Sequence, residues 1–435
     1  MDTINVGLIG FGNIGTGLVN AFNANGETIA KRVGVPVKLT RIADVDTHRK
    51  RECDYDPAIV GNDANALIDD PNIHVVVELV GGLEPARTFV ERALRAGKHV
   101  VSANKAMLAT FGADLWRLAN EKKVALLFEA SVGGGIPIIR ALQSGLSANH
   151  IRSVQGILNG TCNYILTHME KDGRAFEVVL AEAQAHGFAE PDPTYDVEGY
   201  DTAHKTAVLA SLAFQQDIRF ADVFVEGISR LKPVDLDNAK RLSYKVKLLG
   251  IAKRDETDGR VEVRVHPTLV PEDSLIANVS GVFNAVVVEG DLVGKTLFYG
   301  RGAGQAPTSS AILSDVMMIA ADMARGIAPT AEHRLVVPVG QRSLKPIAEL
   351  ETSYYLRVTV ADRPGAMATI SGVLAKHGIS INSMLQKGDH PAGRADVIIV
   401  THKAHEKDVQ SALDEIAATD VAQDKPFVLR VEEEV

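Results

Sequence analysis

The hexapeptide GFGNIG, residues 10–15, constrains the fold more strongly than any other stretch of the chain. It follows the apolar run NVGLI, which is typical of a buried parallel strand, and it opens a helix-like segment. In a G-x-G-x-x-G turn the first glycine permits a tight bend, the second lets the backbone approach a pyrophosphate, and the third lets helix and strand pack closely. A plain glycine turn is the weaker interpretation in this context. The motif predicts a dinucleotide-binding turn formed by Gly10, Phe11, Gly12, Asn13, Ile14 and Gly15.

Strand-like and helix-like segments continue to alternate after this turn. Strand-like runs occupy 37–44, 73–80, 98–104 and 124–130, and helical patterns occupy 84–97 and 112–123. Such alternation predicts a Rossmann-type, doubly wound parallel sheet of the α/β class over residues 1–135. A second glycine-rich turn opens a helix at 300–325, and we expect that helix to pack back on this domain.

The pattern changes after residue 135. Helical stretches dominate from Thr161 to Gln216, a further helix is predicted near 236–250, and strand-like runs follow at 260–270, 281–290 and 295–300. Residues 136–299 therefore read as an α+β domain. The interval 326–352 carries three prolines and little periodicity, which indicates a linker. Residues 353–435 follow the order β-α-β-β-α-β, which is typical of a ferredoxin-like domain.

Charge and composition narrow the classes of partner. The formal net charge of −9 argues against a nucleic-acid partner, and two cysteines do not make a disulfide framework. The first residues lack the basic segment of a signal peptide, and no apolar run reaches the roughly 18 residues of a membrane span. We therefore expect a cytoplasmic protein that acts on small molecules, away from membranes.

The residues after the second predicted strand leave the choice of cofactor open. Asp44 stands where an acidic residue binds the ribose of NAD. Arg41 and the basic cluster Arg49, Lys50 and Arg51 could instead hold the 2′-phosphate of NADP, or could form a solvated surface. The sequence is thus compatible with NADP or NAD.

The stretch GFAEPDPTYDVEGYDTAHK, residues 187–205, gathers carboxylates ahead of a lysine. Two prolines keep its first half out of a helix, and a helix is predicted to begin near Asp201. Asp201 and Lys205 are four residues apart and share a helix face, which fits either a surface pair or a site. Lysine can transfer protons and carboxylates can bind an ammonium group. The pattern suggests oxidation of an amino alcohol or reduction of an amino aldehyde.

Lys105 gives a second candidate lysine. It follows directly after a predicted strand in the segment VVSANKAML. Ligands of open α/β sheets bind beyond the carboxyl ends of the strands, so Lys105 is expected to face cofactor or substrate. An exposed surface lysine is the alternative.

Four segments, read together, resemble the homoserine dehydrogenase family. They are GFGNIG, SANK (102–105), GILNGTCNYIL (156–166) and AQAHGFAEPDPTYDVEGYDTAHK (183–205). The segment ADRPGAMATISGVLAKHGISI (361–381) is similar to the core of an ACT domain. The resemblance implies a monofunctional enzyme that interconverts L-homoserine and L-aspartate 4-semialdehyde with NAD(P), within threonine, methionine and isoleucine biosynthesis.

The resemblance also implies roles for individual residues. Lys205 matches the proton donor, Asp201 the acid that supports it, and Lys105 a lysine near cofactor and substrate. Glu190 matches the ligand of the substrate ammonium group, and Asp196 matches a further acid of the site. Residues 136–299 would then bind the substrate and form the interface of a homodimer or homotetramer.

Two further sites follow from the resemblance. Gly302 and Gly304 match a second glycine turn near the nicotinamide. A monovalent cation, with sodium expected, would be held by main-chain oxygens of Glu129, Val132, Gly134 and Ile136.

The C-terminal domain is expected to bind an effector. Asp362, Gly365 and Asn382 match the turn and strand where ACT domains bind an amino acid, and L-threonine is the expected inhibitor. A purely dimerising domain is the alternative there. For the whole chain, the rival interpretations are a non-catalytic amino-acid sensor and another amino-acid-linked dehydrogenase.

Overall fold

The first third of the chain alternates strands and helices in a parallel sheet, as predicted. Its elements are β1 (Ile4–Ile9), α1 (Asn13–Val33), β2 (Val37–Ala43), β3 (Val60–Gly61), α2 (Ala64–Asp69), β4 (Val75–Glu78), α3 (Ala86–Arg95), β5 (His99–Ser102), α4 (Lys105–Lys122) and β6 (Leu126–Leu127). The strand order is β3-β2-β1-β4-β5-β6. Because the order reverses direction between β1 and β4, the sheet has its topological switch point there.

The middle of the chain is mixed. Its elements are α5 (Ile138–Arg140), β7 (Ile151–Ile157), α6 (Gly160–Asp172), α7 (Phe176–Ala185), α8 (Thr194–Val197), α9 (Tyr200–Phe214), β8 (Phe224–Val225), α10 (Pro233–Arg241), β9 (Tyr244–Arg254), β10 (Val261–Pro271), β11 (Phe283–Gly290), β12 (Gly294–Arg301) and α11 (Gln305–Ala324). The helix predicted over 236–250 is wrong beyond Arg241. Ser243 has a φ of 62° and ends the helix, so the apolar run that follows forms β9.

The C-terminal elements are β13 (Glu351–Thr352), β14 (Tyr354–Ala361), α12 (Ala366–Lys376), β15 (Ile381–His390), β16 (Arg394–Thr401), β17 (Ala404–His405), α13 (Glu406–Ala417) and β18 (Phe427–Val431). The sheet order β18-β14-β16-β15 confirms the ferredoxin-like prediction. Residues 329–341 of the interval predicted as a linker, 326–352, lie outside the described residues.

The computed structural model describes residues 2–328, 342–390 and 393–435. It divides into two compact units. The first unit comprises Met1–Gly160, Asp201–Val223 and Val282–Arg342, and the second comprises Thr161–Tyr200, Phe224–Gly281 and Ser343–Val435. Among the described helices, none has the length and apolar character needed to cross a bilayer.

In the first unit α11 joins the core of the parallel sheet. Ile312, Val316 and Ile319 of α11 are fully buried in one cluster with Leu8 of β1 and Leu18 of α1. Each such side chain contributes about 1.5–3 kcal/mol by leaving water. The helix after the second glycine turn therefore packs on the helix that follows GFGNIG. The antiparallel strands β7, β11 and β12 belong to this unit too.

In the second unit the C-terminal domain shares a sheet with β9 and β10. Strand β18 pairs in parallel with β10, with Arg430 opposite Thr268. The buried Arg430 guanidinium lies 2.6 Å from the Glu226 carboxylate and donates to Glu406 at 2.9 Å. Buried ions that lose their partners are strongly destabilising. Strand pairing and ion pairs thus join this domain to the rest of the unit.

Candidate active site

The glycines of GFGNIG are where their roles require them. Gly10 has a φ of 98°, and a Cβ there would approach the Leu79 carbonyl oxygen to 2.7 Å. A Cβ on Gly15 would lie 2.5 Å from the Gly10 oxygen, whereas none of the described residues lies within 4 Å of a Cβ on Gly12. The N-terminus of α1 has no side-chain cap. Open space at Gly12 beside uncapped N–H groups is the environment that binds a pyrophosphate.

The second glycine turn adjoins this cradle in the same unit. Gln305, the first residue of α11, donates from Nε2 to the Asn13 carbonyl oxygen at 2.9 Å. Gly304 has a φ of 116°, and Ala or larger residues at Gly17 would meet the Gln305 side chain at 2.2 Å. The turn at 302–304 is therefore held against the start of α1, beside the positions predicted to bind cofactor.

Asp44 supports the cradle from the end of β2. Its carboxylate accepts hydrogen bonds from the backbone N–H groups of Phe11 and Asp46. The Arg51 side chain is 1% exposed, donates to the Phe11 carbonyl oxygen at 2.8 Å and lies 3.4 Å from Asp44. Arg51 is therefore part of the loop's interior rather than a surface cation.

The other three candidate bases differ from Arg51. Arg41 forms an ion pair with Asp70 at 2.7 Å. Arg49 and Lys50 are exposed. Arg41, Arg49 and Lys50 are thus all exposed, but the charge of Arg41 is paired with Asp70.

Lys205, Asp201 and Lys105 meet in one buried cluster. The Lys205 ammonium donates to Asp201 Oδ2 and to the Leu158 carbonyl oxygen, each at 2.7 Å. Lys105 Nζ lies 3.0 Å from Asp201 Oδ1, and Asn159 Nδ2 donates to Oδ2 at 2.8 Å. The side chains of Lys205 and Asp201 are 9% and 6% exposed, and that of Lys105 is 34% exposed. The sequence-based pairing of Asp201 with Lys205 thus holds in a buried setting.

The electrostatics of the cluster favour a charged Asp201. Burial opposes the charge, but the Lys205 and Lys105 ammonium groups outweigh it and hold the pKa of Asp201 well below its usual range. An ammonium group has three N–H donors, and Lys205 uses two of them on Asp201 and Leu158. The remaining N–H can serve a substrate oxygen.

The loop predicted to bind a cation is buried and tied to α11. The Glu129 carboxylate accepts from the N–H groups of Ile139 and Arg140, both at 2.9 Å. Asp315 of α11 accepts from the Glu129 N–H at 2.8 Å. Burial raises the pKa of Asp315 to about 7, although the hydrogen bond from the Glu129 N–H lowers it. The carboxylates of Glu129 and Asp315 therefore fix the geometry of this loop.

Glycines give that loop its shape. Gly133 and Gly134 have φ values of 74° and 50°. A Cβ on Gly134 would approach the Gly302 oxygen to 2.6 Å. No cluster of three or more His, Cys, Asp or Glu side chains suited to a metal occurs in the described parts of the chain.

The acidic loop lies in the second unit. Glu190 is exposed, and its carbonyl oxygen accepts from Gln184 at 3.1 Å. Asp196 lies in the short helix α8, where its carbonyl oxygen accepts from the Cys162 thiol at 3.2 Å. Asp192 accepts from the Thr194 side chain and backbone, which lowers its pKa. Asp192 therefore stabilises the turn, while the Glu190 carboxylate faces solvent.

The predicted effector residues are exposed. Gly365 has a φ of 93° and caps α12, and Asp362 precedes it in the same turn. Asn382 is an exposed residue of β15. All three stand at the surface of the C-terminal domain.

Several contributors were missed from the sequence. Leu158 and Asn159 follow β7 and contact Lys205 and Asp201 of α9. The available signal in the sequence was a polar residue, Asn159, just after a strand. Glu78 ends β4 and is fully buried, three residues before the pair Gly81 and Gly82. A charged residue directly after a β-branched run was the available signal.

Three family models match the chain in succession. The model described as "Homoserine dehydrogenase, NAD binding domain" matches residues 10–129. The model described as "Homoserine dehydrogenase" matches residues 137–317, and the ACT domain model matches residues 354–420.

Full-length relatives agree with these matches. The homoserine dehydrogenase of Neisseria gonorrhoeae is 42% identical over 434 residues, which are 99% of each chain. The crystal structure of a homoserine dehydrogenase from Thiobacillus denitrificans is 42% identical, covers 100% of this chain and 99% of its own, and has a TM-score of 0.91. That of Staphylococcus aureus is 32% identical over 99% of both chains, with a TM-score of 0.77. The glycine cradle, the buried lysine–aspartate cluster and these full-length matches place the chain in the homoserine dehydrogenase family.

Proposed function

We propose that the chain interconverts L-homoserine and L-aspartate 4-semialdehyde, with Lys205 carrying the proton of the reacting oxygen. The buried contact of Lys205 with Asp201 is the observation that carries this proposal. A sensor would need no buried proton donor, so the contact favours catalysis over sensing. The test is absorbance at 340 nm with homoserine and NAD(P), with semialdehyde identified as the product. If neither reduced nucleotide nor semialdehyde is formed, the proposal is contradicted.

The cluster supports the reaction through charge and hydrogen bonding. Two ammonium groups face one carboxylate, so the cluster carries net positive charge around Lys205. A positive environment stabilises the negative charge that develops on the reacting oxygen. When the semialdehyde is reduced, Lys205 Nζ gives a proton to that oxygen, and Asp201 and Leu158 hold the amine in place. The bound nicotinamide supplies the hydride.

The substrate ammonium group is assigned to Glu190, with Asp196 as a neighbouring acid. This assignment rests on the resemblance and on the solvent-facing Glu190 carboxylate. The Asp192 carboxylate, by contrast, accepts a hydrogen bond from the Thr194 N–H within its own turn.

We expect Glu190→Gln to weaken homoserine binding. A hydrogen bond to a charged group contributes about 1.5–3 kcal/mol, so the Michaelis constant for homoserine should rise about tenfold to a hundredfold. The Michaelis constant for the cofactor should stay unchanged. Glu177→Gln, an exposed glutamate of α7, is the matched control. Equal rises for both substrates would instead indicate a folding defect.

NADP is the proposed preference, because the exposed Arg49 and Lys50 offer charge to a 2′-phosphate. Asp44 is occupied by the backbone of the cradle. NAD is the alternative, in which the Asp44 carboxylate also binds the ribose of the cofactor.

Changing Arg49 and Lys50 together to alanine should lower the NADP/NAD ratio of kcat/KM by about tenfold, which corresponds to about 1.4 kcal/mol. Asp44→Ala should raise that ratio while weakening both cofactors, since it also loosens Phe11. Lys31 and Arg32, at the far end of α1, give a charge-matched control pair. Arg51 is left intact because its loss would disturb the loop interior. An unchanged ratio in both variants would put the ribose pocket elsewhere.

A monovalent cation, sodium by resemblance, is assigned to the main-chain oxygens of Glu129, Val132, Gly134 and Ile136. The buried loop and its positive-φ glycines support this assignment. The ion would fix the loop that contacts the second glycine turn at Gly302.

L-threonine is proposed as an inhibitor that binds the C-terminal domain at Asp362, Gly365 and Asn382. The ACT match at 354–420 supports an amino-acid effector. Removing the domain is a poor test, because β18 pairs with β10 and Arg430 pairs with Glu226. Truncation would leave an open strand and an unpaired charge in the remainder.

Asn382→Ala should raise the threonine concentration for half-inhibition about tenfold, through loss of about one hydrogen bond to a charged ligand. Turnover without threonine should stay at the wild-type value. Ser411→Ala, an exposed position of α13, is the control. Unaltered inhibition in Asn382→Ala would mean that threonine acts elsewhere, for example at the active site.

The assembly is proposed to be a homodimer or homotetramer in the cytoplasm. The free thiols of Cys53 and Cys162 fit a reducing compartment.

A further inference from the structure

A buried carboxylate lies at the switch point of the parallel sheet. Glu78 is the last residue of β4, which neighbours β1 on one side and β5 on the other. Its side chain is fully buried. Burying a carboxylate is unfavourable unless its oxygens are hydrogen-bonded, so the partners of Glu78 indicate what it holds in place.

The first set of partners is the loop after β4. Glu78 Oε1 accepts from the Val80 N–H at 2.8 Å and from the Gly81 N–H at 3.3 Å. Leu79 and Val80 are also the backbone that a Cβ on Gly10 would strike. Glu78 therefore fixes the segment against which the first glycine of the cofactor cradle packs.

The second set of partners leads to Lys105. Ser102 Oγ donates to Glu78 Oε2 at 2.6 Å and accepts from the Asn104 N–H at 3.1 Å. Asn104 Nδ2 donates to the Gly82 carbonyl oxygen at 2.7 Å, and its Oδ1 caps α4 through the Met107 N–H. Lys105 is the first residue of α4. The hydrogen bonds thus run from the loop that packs against the cradle, through Glu78, to the helix start that carries Lys105.

We infer that Glu78 is a positioning residue that sets the Lys105 ammonium relative to the cofactor cradle. It acts through the Val80–Gly82 loop and through Ser102 and Asn104. The inference rests on the proposed function only in that Lys105 takes part in the reaction.

Glu78→Gln tests the inference with a side chain of the same shape. The amide retains one acceptor for the Val80 N–H, but it presents N–H groups to Ser102 Oγ in place of an acceptor. A small misplacement of a catalytic group costs up to about a hundredfold in rate, and we expect kcat to fall about tenfold or more. The Michaelis constant for homoserine should stay within about twofold, because only the geometry at the reacting centre changes.

The decisive measurement is a double-mutant cycle with Lys105→Ala. If Glu78 acts through Lys105, Glu78→Gln should reduce kcat less than about threefold in the Lys105→Ala enzyme. The same loss in both backgrounds would overturn the inference, and so would unchanged kcat in Glu78→Gln or in Lys105→Ala. An inactive wild-type enzyme would instead contradict the proposed function, which keeps the two failures distinct.

Two further variants guard against a folding defect. Ser102→Ala leaves the carboxylate in place and removes the hydroxyl that links it to the Asn104 N–H, so any loss of kcat should also disappear in the Lys105→Ala background. Asp70→Asn changes a carboxylate directly after α2, five residues before β4 begins. Its oxygen accepts from the Asn72 N–H at 2.9 Å, and the variant should leave kcat unchanged. Melting temperatures within a few degrees of the wild type would accompany the expected result. If both Glu78→Gln and Ser102→Ala lose kcat additively with Lys105→Ala, the positioning role is excluded.

Discussion

Replacing Lys205 by alanine is expected to reduce kcat by about 10²–10⁴-fold, the range that general acid–base groups supply. In this variant the ammonium group that donates the proton to the reacting oxygen is absent. Cofactor binding should persist, since the cradle at Gly10–Gly15 is formed by the turn after β1 and the start of α1. Nucleotide binding measured by fluorescence and turnover measured at 340 nm separate the two effects.

The Lys205→Ala enzyme should remain folded. Asp201 keeps Lys105 at 3.0 Å and Asn159 at 2.8 Å, so its buried charge is still compensated. Lys205→Arg should be equally inactive, because a guanidinium does not release its proton. Lys122→Ala, at the exposed end of α4, provides the control. Turnover near the wild-type value in either Lys205 variant would remove Lys205 from the reaction.

Local patterns predicted the parts of the site that lie within one element. The glycines of GFGNIG and the spacing of Asp201 and Lys205 each fall inside a single turn or helix, so sequence spacing determined their geometry. Lys105 was expected to face the site from a strand end, and it meets Asp201. The ferredoxin-like order of the C-terminal domain was equally local.

Contacts between distant segments were not predictable in the same way. Arg51 looked like a surface base beside Arg49 and Lys50, but tertiary contacts with Phe11 bury it. The pairing of β18 with β10 joins residues far apart in sequence, and the local sequence pattern of either strand does not predict it. The apolar run at 244–254 fits a helix or a buried strand equally well, and only the turn at Ser243 decides.

The second large effect is expected for Asp201→Asn. The change leaves the Lys205 and Lys105 ammonium groups without their shared carboxylate. Breaking a buried ion pair by removing one partner costs about 3–5 kcal/mol of folding free energy. Turnover should also fall, because Lys205 loses one of its two fixed acceptors. Asp237→Asn, an exposed pair with Arg241, should cost no more than about 1 kcal/mol.

The pH dependence of this loss identifies its cause. The pKa of Asp201 is held below its usual range by Lys205 and Lys105 against burial, so its stabilising charge is present above the unfolded-state pKa of about 3.9. The difference in unfolding free energy between wild type and Asp201→Asn should therefore be constant from pH 7 to about pH 5. It should shrink only as the pH falls below about 4, through the folded-state value. Urea unfolding of both proteins across this range measures the difference. A difference that disappears between pH 7 and pH 5 would show that Asp201 titrates there, and the buried lysine–aspartate cluster would then not hold it as a carboxylate.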